Sequence, residues 1–576
     1  MGSDLNMMIG GEAGQGVQSL GFILAKSLAR GGYHVFADQD YESRIRGGHN
    51  FFRVRVSDSQ IAALSEEVDI LIAMNKESLD LHLGRLMKEG IAIFDEEATK
   101  DYGVARGLFG LPLERLAREK AGDRLMTNSV SLGAALGLVS YDLEILNKVL
   151  AEHFKGEVAQ ANILAARAGY DYIREKFRGN FNKQIRPLGQ AKRMLLNGNE
   201  ALALGAVAAG CKFVAAYPMT PATTILEYLA GKAEETGMVV VQPEDEIAAM
   251  NMIVGAGFTG VRAMTCTSGG GFCLMVEGLG LAGMTETPVV VVNSQRSGPG
   301  IGLPTRTEQA DLEFALHAAH GEFPRAVLAP ATVEDAFYLT AKAFNMAEKY
   351  QTPVIILTDQ YIGSSYATVE RFDLSKITIE RGQLLSEDEA ARLGQYKRYQ
   401  FTESGISPRA LPLYKNTLVV ADSDEHNEDG HPIEDAETRT KMMLKRLRKL
   451  EGIRREIGQP RFYGPPQAEL TLVGWGSTYG ALKEAVDMLQ AEQIGANLLH
   501  LNELWPFPAE AVSSVLGKSR QSLAVENNAT GQLAHLIRRE TGLKVSGTIL
   551  KFDGRPFSPA GIVREAKKEV VHGKAG

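Results

Sequence analysis

Cysteine is scarce in this chain: Cys211, Cys266 and Cys273 are the three among 576 residues, and no Cys-x-x-Cys occurs. A cubane iron–sulfur cluster takes four thiolates, so this chain is not expected to hold one by itself. No apolar run reaches the roughly 20 residues that span a bilayer. Met1 to Met8 lacks the charged and apolar regions of a secretory signal, so a cytoplasmic protein without a membrane segment is expected. There is no basic block, and the net charge of −8 speaks against nucleic acid as the main partner. The Gly-x-Ser-x-Gly elbow of acyl-serine enzymes and the Gly-x-x-x-x-Gly-Lys-Ser/Thr phosphate loop are also missing. His317 and His320, three apart with no second pair nearby, do not form a zinc constellation.

What is present is the composition of several packed domains, 44% hydrophobic and 23% charged, at a length that allows roughly three or four of them. The expected class is α/β, with three mainly parallel α/β units. Residues 1–185 read as the first, with strands at Leu5 to Ile9, Val35 to Ala37 and Asn50 to Val56 and others near Ile70 and Ile91. Residues 186–370 read as the second, with strands at Phe213 to Tyr217, Met238 to Gln242, Val261 to Cys266, Pro288 to Asn293 and Val354 to Thr358. Residues 371–465 have few periodic strands and read as a crossing linker ending in a basic helix around Lys441 to Arg455. Residues 466–576 form a third unit with strands at Leu470 to Trp475, Ala496 to Leu501 and Ser522 to Glu526.

The polar motifs of the second unit fall after its strands, at the edge where open α/β sheets bind ligands. Tyr217-Pro218-Met219-Thr220-Pro221 ends the first strand. Pro221 suits the first turn of a helix, and Thr220 then sits near its N-cap, which is either its whole role or a way of facing the pocket. Glu244, Asp245 and Glu246 open the next helix, where the helix dipole accounts for two of the three acids and leaves one for chemistry. Thr267-Ser268-Gly269-Gly270-Gly271 is a turn that permits close approach. Arg296, in Gln295-Arg296-Ser297-Gly298-Pro299-Gly300, is either a surface arginine or a guanidinium placed for two-bond capture of a carboxylate.

In the first unit Gly10-Gly11-Glu12-Ala13-Gly14-Gln15-Gly16 joins a strand to a helix. Bare backbone N–H groups and the helix dipole would suit a phosphate there, and a plain tight turn is the competing reading. The glycine order is not the dinucleotide fingerprint, although Asp38 and Asp40 lie near where a ribose-binding acid is sought. Arg44, Arg46 and Gly47-Gly48 form a second loop, which together with the first favours a large phosphorylated ligand over a solvated loop.

Taken in order, the glycine turn, Ser43-Arg44-Ile45-Arg46-Gly47-Gly48, Gly198-Asn199-Glu200-Ala201, Tyr217 to Pro221, Glu246-Ile247-Ala248-Ala249 and Gln295 to Gly300 resemble the α subunit of 2-oxoacid:ferredoxin oxidoreductases. The form resembled carries a γ domain fused ahead of the domain that binds the thiamine pyrimidine. Asp429-Gly430-His431-Pro432 and Glu526-Asn527-Asn528-Ala529-Thr530-Gly531-Gln532 are similar to the two-subunit, 2-oxoglutarate-type members, and Met219 departs from the family's usual isoleucine.

The resemblance implies oxidative decarboxylation of 2-oxoglutarate with coenzyme A to succinyl-CoA and CO2, electrons passing reversibly to ferredoxin. Pyruvate and other 2-oxoacids stay open as substrates. It also implies thiamine diphosphate as cofactor, with Glu246 hydrogen-bonded to the aminopyrimidine, Arg296 on the substrate 1-carboxylate, Thr220 on the carboxylate or 2-oxo group, and Thr305 as a further pocket residue. Gly14, Gly16, Arg44 and Arg46 would bind coenzyme A, and the donors for a second carboxylate would come from the β subunit or from Arg306. The Gly-Asp-Gly of magnesium–diphosphate sites is missing. That absence, with the shortage of cysteine, implies a β subunit carrying Mg2+, diphosphate and the four-iron four-sulfur cluster, in an (αβ)2 heterotetramer. The competing classes are a nucleotide-binding dehydrogenase, favoured by tight NAD(P) binding, and a non-catalytic scaffold, in which Glu246 and Arg296 need not converge.

Overall fold

The computed structural model describes residues 4–43, 47–97, 99, 107–177, 181–189 and 193–574, with side chains to residue 569. Arg44 and Arg46 fall outside them. The chain divides into two compact units, one of residues 1–197 with 364–371 and 558–561, the other of the remainder.

The first unit is built on an eight-stranded sheet. Its order is Leu108–Leu111, Leu86–Asp95, Val68–Ala73, Leu5–Glu12, His49–Ser57, His34–Asp40, Tyr366–Val369, Met194–Asn197. The first four strands run parallel and the remaining pairings are antiparallel, so this sheet is mixed where parallel pairing was expected. The unit extends to Asn197 because Met194–Asn197 pairs with Tyr366–Val369. Leu24 and Leu28 on the Val17–Arg30 helix join Ile9, Val54 and Ile70 in its core.

Two sheets make up the second unit. One has the order Glu503–Trp505, Ala326–Leu328, Pro353–Asp359, Val289–Gln295, Ala263–Thr267, Phe213–Ala215, Val239–Val241 and is parallel except at Glu503–Trp505. Its central strands are buried on both faces, which is why Val289-Val290-Val291-Val292 reads as unbroken apolar sequence. The other orders Arg461–Tyr463, Ala496–Leu501, Leu470–Trp475, Gln521–Glu526, Gly547–Leu550. A single core runs through both, from Val291 and Ile355 to Val473, Leu499 and Ala524.

The segment read as a linker is packed structure. Arg398, Lys445 and Lys449 are buried, and Lys445 and Lys449 lie 2.6 and 2.5 Å from the carboxylate of buried Glu286. Polarity hid this packing, because a buried ion cluster and a solvated linker have the same composition. Among the described residues no helix is long and apolar enough to cross a membrane.

Where the two sheets of the second unit meet, buried Asp359 accepts hydrogen bonds from the Ser477 hydroxyl and, at 3.0 Å, from Ile362 N–H. Burial pushes this carboxyl up to about 6 from its ordinary 3.8. Between those values the folded chain keeps a proton that the unfolded chain has lost, so this group's contribution to stability falls as pH rises from about 4 to about 6. The expected loss is on the order of 3 kcal/mol. Asp359→Asn should flatten that slope, as read from denaturation midpoints at pH 4, 5, 6 and 7.

Candidate functional site

Three acids, Glu244 to Glu246, lie at the start of the Glu246–Phe258 helix, and the structure sorts them. Glu244 is exposed. The Asp245 side chain caps the helix by accepting from Ala248 N–H at 2.8 Å. Glu246, the first helical residue, turns inward and is 4% exposed, and its Oε1 has no hydrogen-bond partner. A buried acceptor left alone costs about 1 to 3 kcal/mol unless a partner arrives.

Gly271, in the first turn of the Gly269–Met284 helix, lets that helix pack directly against this oxygen. A Cβ there would stand 2.6 Å from Glu246 Oε1 and would also strike the Thr267 hydroxyl. That hydroxyl is 3.8 Å from the Met219 sulfur, in the turn that carries Thr220. Other buried polar atoms at this sheet edge also lack partners, among them Ser268 Oγ, Asn293 Oδ1, Ser294 Oγ and Asn199 Oδ1.

Thr220 is not the helix cap expected from its sequence. The helix runs Thr223–Thr236 from Ala222, after a turn in which Ala222 N–H donates to Met219 O at 2.8 Å. Asn199 instead holds the turn from one side, its Nδ2 donating to Pro221 O at 2.9 Å and to Thr224 Oγ1 at 2.7 Å. From the other side Arg296 Nη1 donates to Thr220 O at 2.7 Å. Glu246 and Arg296 thus converge on one edge, through Met219 and Thr220.

Arg296 has no carboxylate partner among the described residues, and burial alone lowers its pKa from the ordinary arginine value. The loop after it passes over the glycine helix start, where Gly300 O lies 3.9 Å from the position of a Gly270 Cβ. Thr305 is buried within this loop. Two residues missed in the sequence complete the loop's far end: Asp311, whose Oδ2 accepts from Asn293 Nδ2 at 3.0 Å, and Gln309. The polar run Thr305 to Asp311 following a glycine-rich loop was the available signal.

In the first unit the strand runs to Glu12, since Gly11 and Glu12 stay in register with Asn50 and His49. The turn is therefore shorter than the glycine motif. Gly14 and Gly16 have φ of 96° and 73°, and Gly16 starts the Val17–Arg30 helix without a side-chain cap, leaving its first amides to other acceptors. Asp38 is not available for a ribose, because Arg53 grips it with Nε at 2.9 Å and with Nη2.

Sequence profiles of three families match in succession. They are pyruvate ferredoxin/flavodoxin oxidoreductase over residues 6–172, the thiamine-diphosphate-binding part of pyruvate flavodoxin/ferredoxin oxidoreductase over 204–445, and pyruvate:ferredoxin oxidoreductase core domain II over 468–562. A 2-oxoacid:ferredoxin oxidoreductase subunit alpha from Sulfolobus is 33% identical, with 98% of each chain covered. The chain belongs to the 2-oxoacid:ferredoxin oxidoreductase α-subunit family. It is similar to a 2-oxoglutarate oxidoreductase subunit KorA from Mycobacterium tuberculosis, 32% identical over 92% of this chain and 86% of that one. A solved 2-oxoglutarate:ferredoxin oxidoreductase from Magnetococcus marinus, with 2-oxoglutarate, coenzyme A and succinyl-CoA bound, superposes with a TM-score of 0.93. It is 32% identical and covers 99% of this chain and 100% of its own. This α subunit is accordingly of an oxidoreductase type that acts on 2-oxoacids, and it carries a thiamine-diphosphate-binding domain.

The residues present fit that cofactor's pyrimidine end. A buried carboxylate oxygen without a partner is what a ring nitrogen needs.

Proposed function

We propose that this α subunit, joined to a β subunit, converts 2-oxoglutarate and coenzyme A to succinyl-CoA and CO2, with electrons passed reversibly to ferredoxin. The unpartnered Glu246 oxygen carries the reading, and the 2-oxoglutarate-named relatives support the choice of oxoacid. Thiamine diphosphate, when bound, supplies the nucleophilic carbon and the electron sink for decarboxylation. Glu246 holds the proton at the pyrimidine nitrogen, the Arg296 guanidinium binds the substrate 1-carboxylate, and Thr220 and Thr305 line the same pocket. Mg2+, the diphosphate contacts and the four-iron four-sulfur cluster belong to the β subunit. Its docking face on this chain lies beside Glu246, where Ile247, Met252 and Leu274 are exposed on adjacent helices. Coenzyme A takes its place at Gly14 and Gly16 together with Arg44 and Arg46, in a γ-type domain, and the assembly is (αβ)2.

The test is purification with a β-type partner and assay of 2-oxoglutarate, pyruvate and branched-chain oxoacids with coenzyme A and a low-potential acceptor. Preference for pyruvate would overturn the oxoacid assignment, and turnover by the isolated chain would overturn the division of labour. Within the complex, Arg296→Lys keeps the charge and loses the planar two-bond geometry. It should cost on the order of 1 to 3 kcal/mol, roughly tenfold to a hundredfold in kcat/KM for the oxoacid. Normal oxoacid kinetics in that variant would return Arg296 to a role in holding the Thr220 turn.

A further inference from the structure

The loop from Arg296 to Asp311 is closed on itself near its start. Ser297 N–H donates to Arg306 O at 3.3 Å, Leu303 N–H to Ser297 O at 3.0 Å, and Asp311 N–H to Gln295 Oε1 at 3.0 Å. Its far end is held differently. Gln309 is fully buried, and its backbone and side-chain polar atoms all engage Trp475 of the five-stranded sheet or the turn that follows its Gln521–Glu526 strand. The backbone N–H donates to Asn527 O at 2.7 Å, and the carbonyl accepts from Asn528 Nδ2 at 3.1 Å. Side-chain Oε1 accepts from Asn527 N–H at 3.1 Å, and Nε2 donates to Trp475 O at 2.9 Å. Beside it, Gln532 Nε2 donates to Ala310 O at 2.7 Å, and Gln532 Oε1 accepts from Glu313 N–H at 3.0 Å.

The gripping turn is itself held from within. Glu526, fully buried at the end of its strand, accepts from Leu533 N–H at 2.7 Å, Ala534 N–H at 3.1 Å and Asn528 Nδ2 at 3.0 Å. Asn528 Oδ1 accepts from Gly531 N–H at 2.7 Å. Gly476 leaves room for the glutamine: a Cβ there would stand 3.0 Å from Gln309 Nε2. Buried polar groups satisfied this completely fix one geometry, because losing any partner strands another in a dry environment.

We infer that the Glu526–Gln532 turn of the third sheet is a positioning device for the substrate loop, and that Gln309 and Asn528 set the geometry with which Arg296 and Thr305 meet the oxoacid. This rests on the substrate reading of that loop. Neither residue touches substrate. Both act through the backbone of residues 297–308, so their loss should appear in oxoacid binding and not in the cofactor or coenzyme A constants.

The experiment compares the parent αβ complex with Gln309→Met, which keeps volume and both backbone bonds while removing both side-chain bonds. Oxoacid KM should rise at least tenfold. Coenzyme A KM and the thiamine diphosphate Kd should stay within twofold, and amide exchange over residues 297–308 should quicken while exchange in Ala263–Thr267 stays unchanged. If Gln309→Met does not fold, Asn528→Ala is read on the same quantities, since it leaves the glutamine in place and removes the donor to its carbonyl together with the bonds of Asn528 to Glu526 and Gly531. An oxoacid KM within twofold, with or without faster exchange, would overturn the inference, as would a parallel rise in all three constants. Normal kinetics in Arg296→Lys with a raised oxoacid KM in Gln309→Met would remove Arg296 from the reading and leave the positioning role standing.

Discussion

Replacing Glu246 by Gln is expected to slow C2 proton exchange in bound thiamine diphosphate by about a hundredfold to ten-thousandfold, the range of a general acid–base group. The substitution preserves size, so it fits the space bounded by Gly271 and Thr267. What it removes is the carboxylate that supports proton transfer at the pyrimidine. The exchange is measured before any oxoacid is added, which separates the result from substrate capture, and thiamine diphosphate affinity should fall far less than the exchange rate. Arg296→Lys should give the reverse pattern, normal exchange with impaired oxoacid kinetics. A Glu246→Gln complex exchanging at the parent rate would reduce Glu246 to a buried residue at a helix start.

The second large effect concerns stability. Glu286 is fully buried with a left-handed φ of 51°, and its carboxylate faces Lys445 and Lys449 while Arg398 Nη2 donates to its carbonyl at 2.7 Å. Burial pulls Lys449 down to about 7. Burial favours the neutral form of Glu286, but the adjacent lysines prevail and hold it far below the usual carboxylate range. Glu286→Gln leaves Lys445 and Lys449 without their counter-charge in a dry site, and breaking such a buried pair costs about 3 to 5 kcal/mol. The denaturation midpoint should drop accordingly. Adding Lys445→Met and Lys449→Met should recover most of the loss, since well-packed apolar groups replace buried ion pairs at little cost. A Glu286→Gln chain as stable as the parent would mean that water reaches the cluster.

Sequence patterning located the buried parallel strands well: Leu470–Trp475 and Ala496–Leu501 have the expected bounds, because an unbroken apolar run between polar turns has few other uses. The acids at 244–246 were legible as a helix start with one acid to spare, but only packing reveals that Glu246 is the one turned inward. Thr220 was misplaced because Thr-Pro reads locally as a helix start, whereas a turn from Met219 to Ala222 intervenes and the helix begins at Thr223. Gln309 and Asn528 could not be paired from sequence, being 219 residues apart and unmarked by charge or periodicity. The antiparallel half of the first sheet escaped for a related reason, since Tyr366–Val369 reaches His34–Asp40 across more than three hundred residues.

The strand Glu503–Trp505 has a practical consequence for dividing this protein. It lies along Ala326–Leu328, whose three residues are fully buried, and so closes one edge of the seven-stranded sheet from well beyond the matched thiamine-binding region at 204–445. A fragment cut near residue 465 would bare an apolar strand edge with its peptide groups unpaired, a template for adding strands from neighbouring molecules. Such a fragment should gather into β-rich aggregates, whereas one continuing past Trp505 keeps that edge capped.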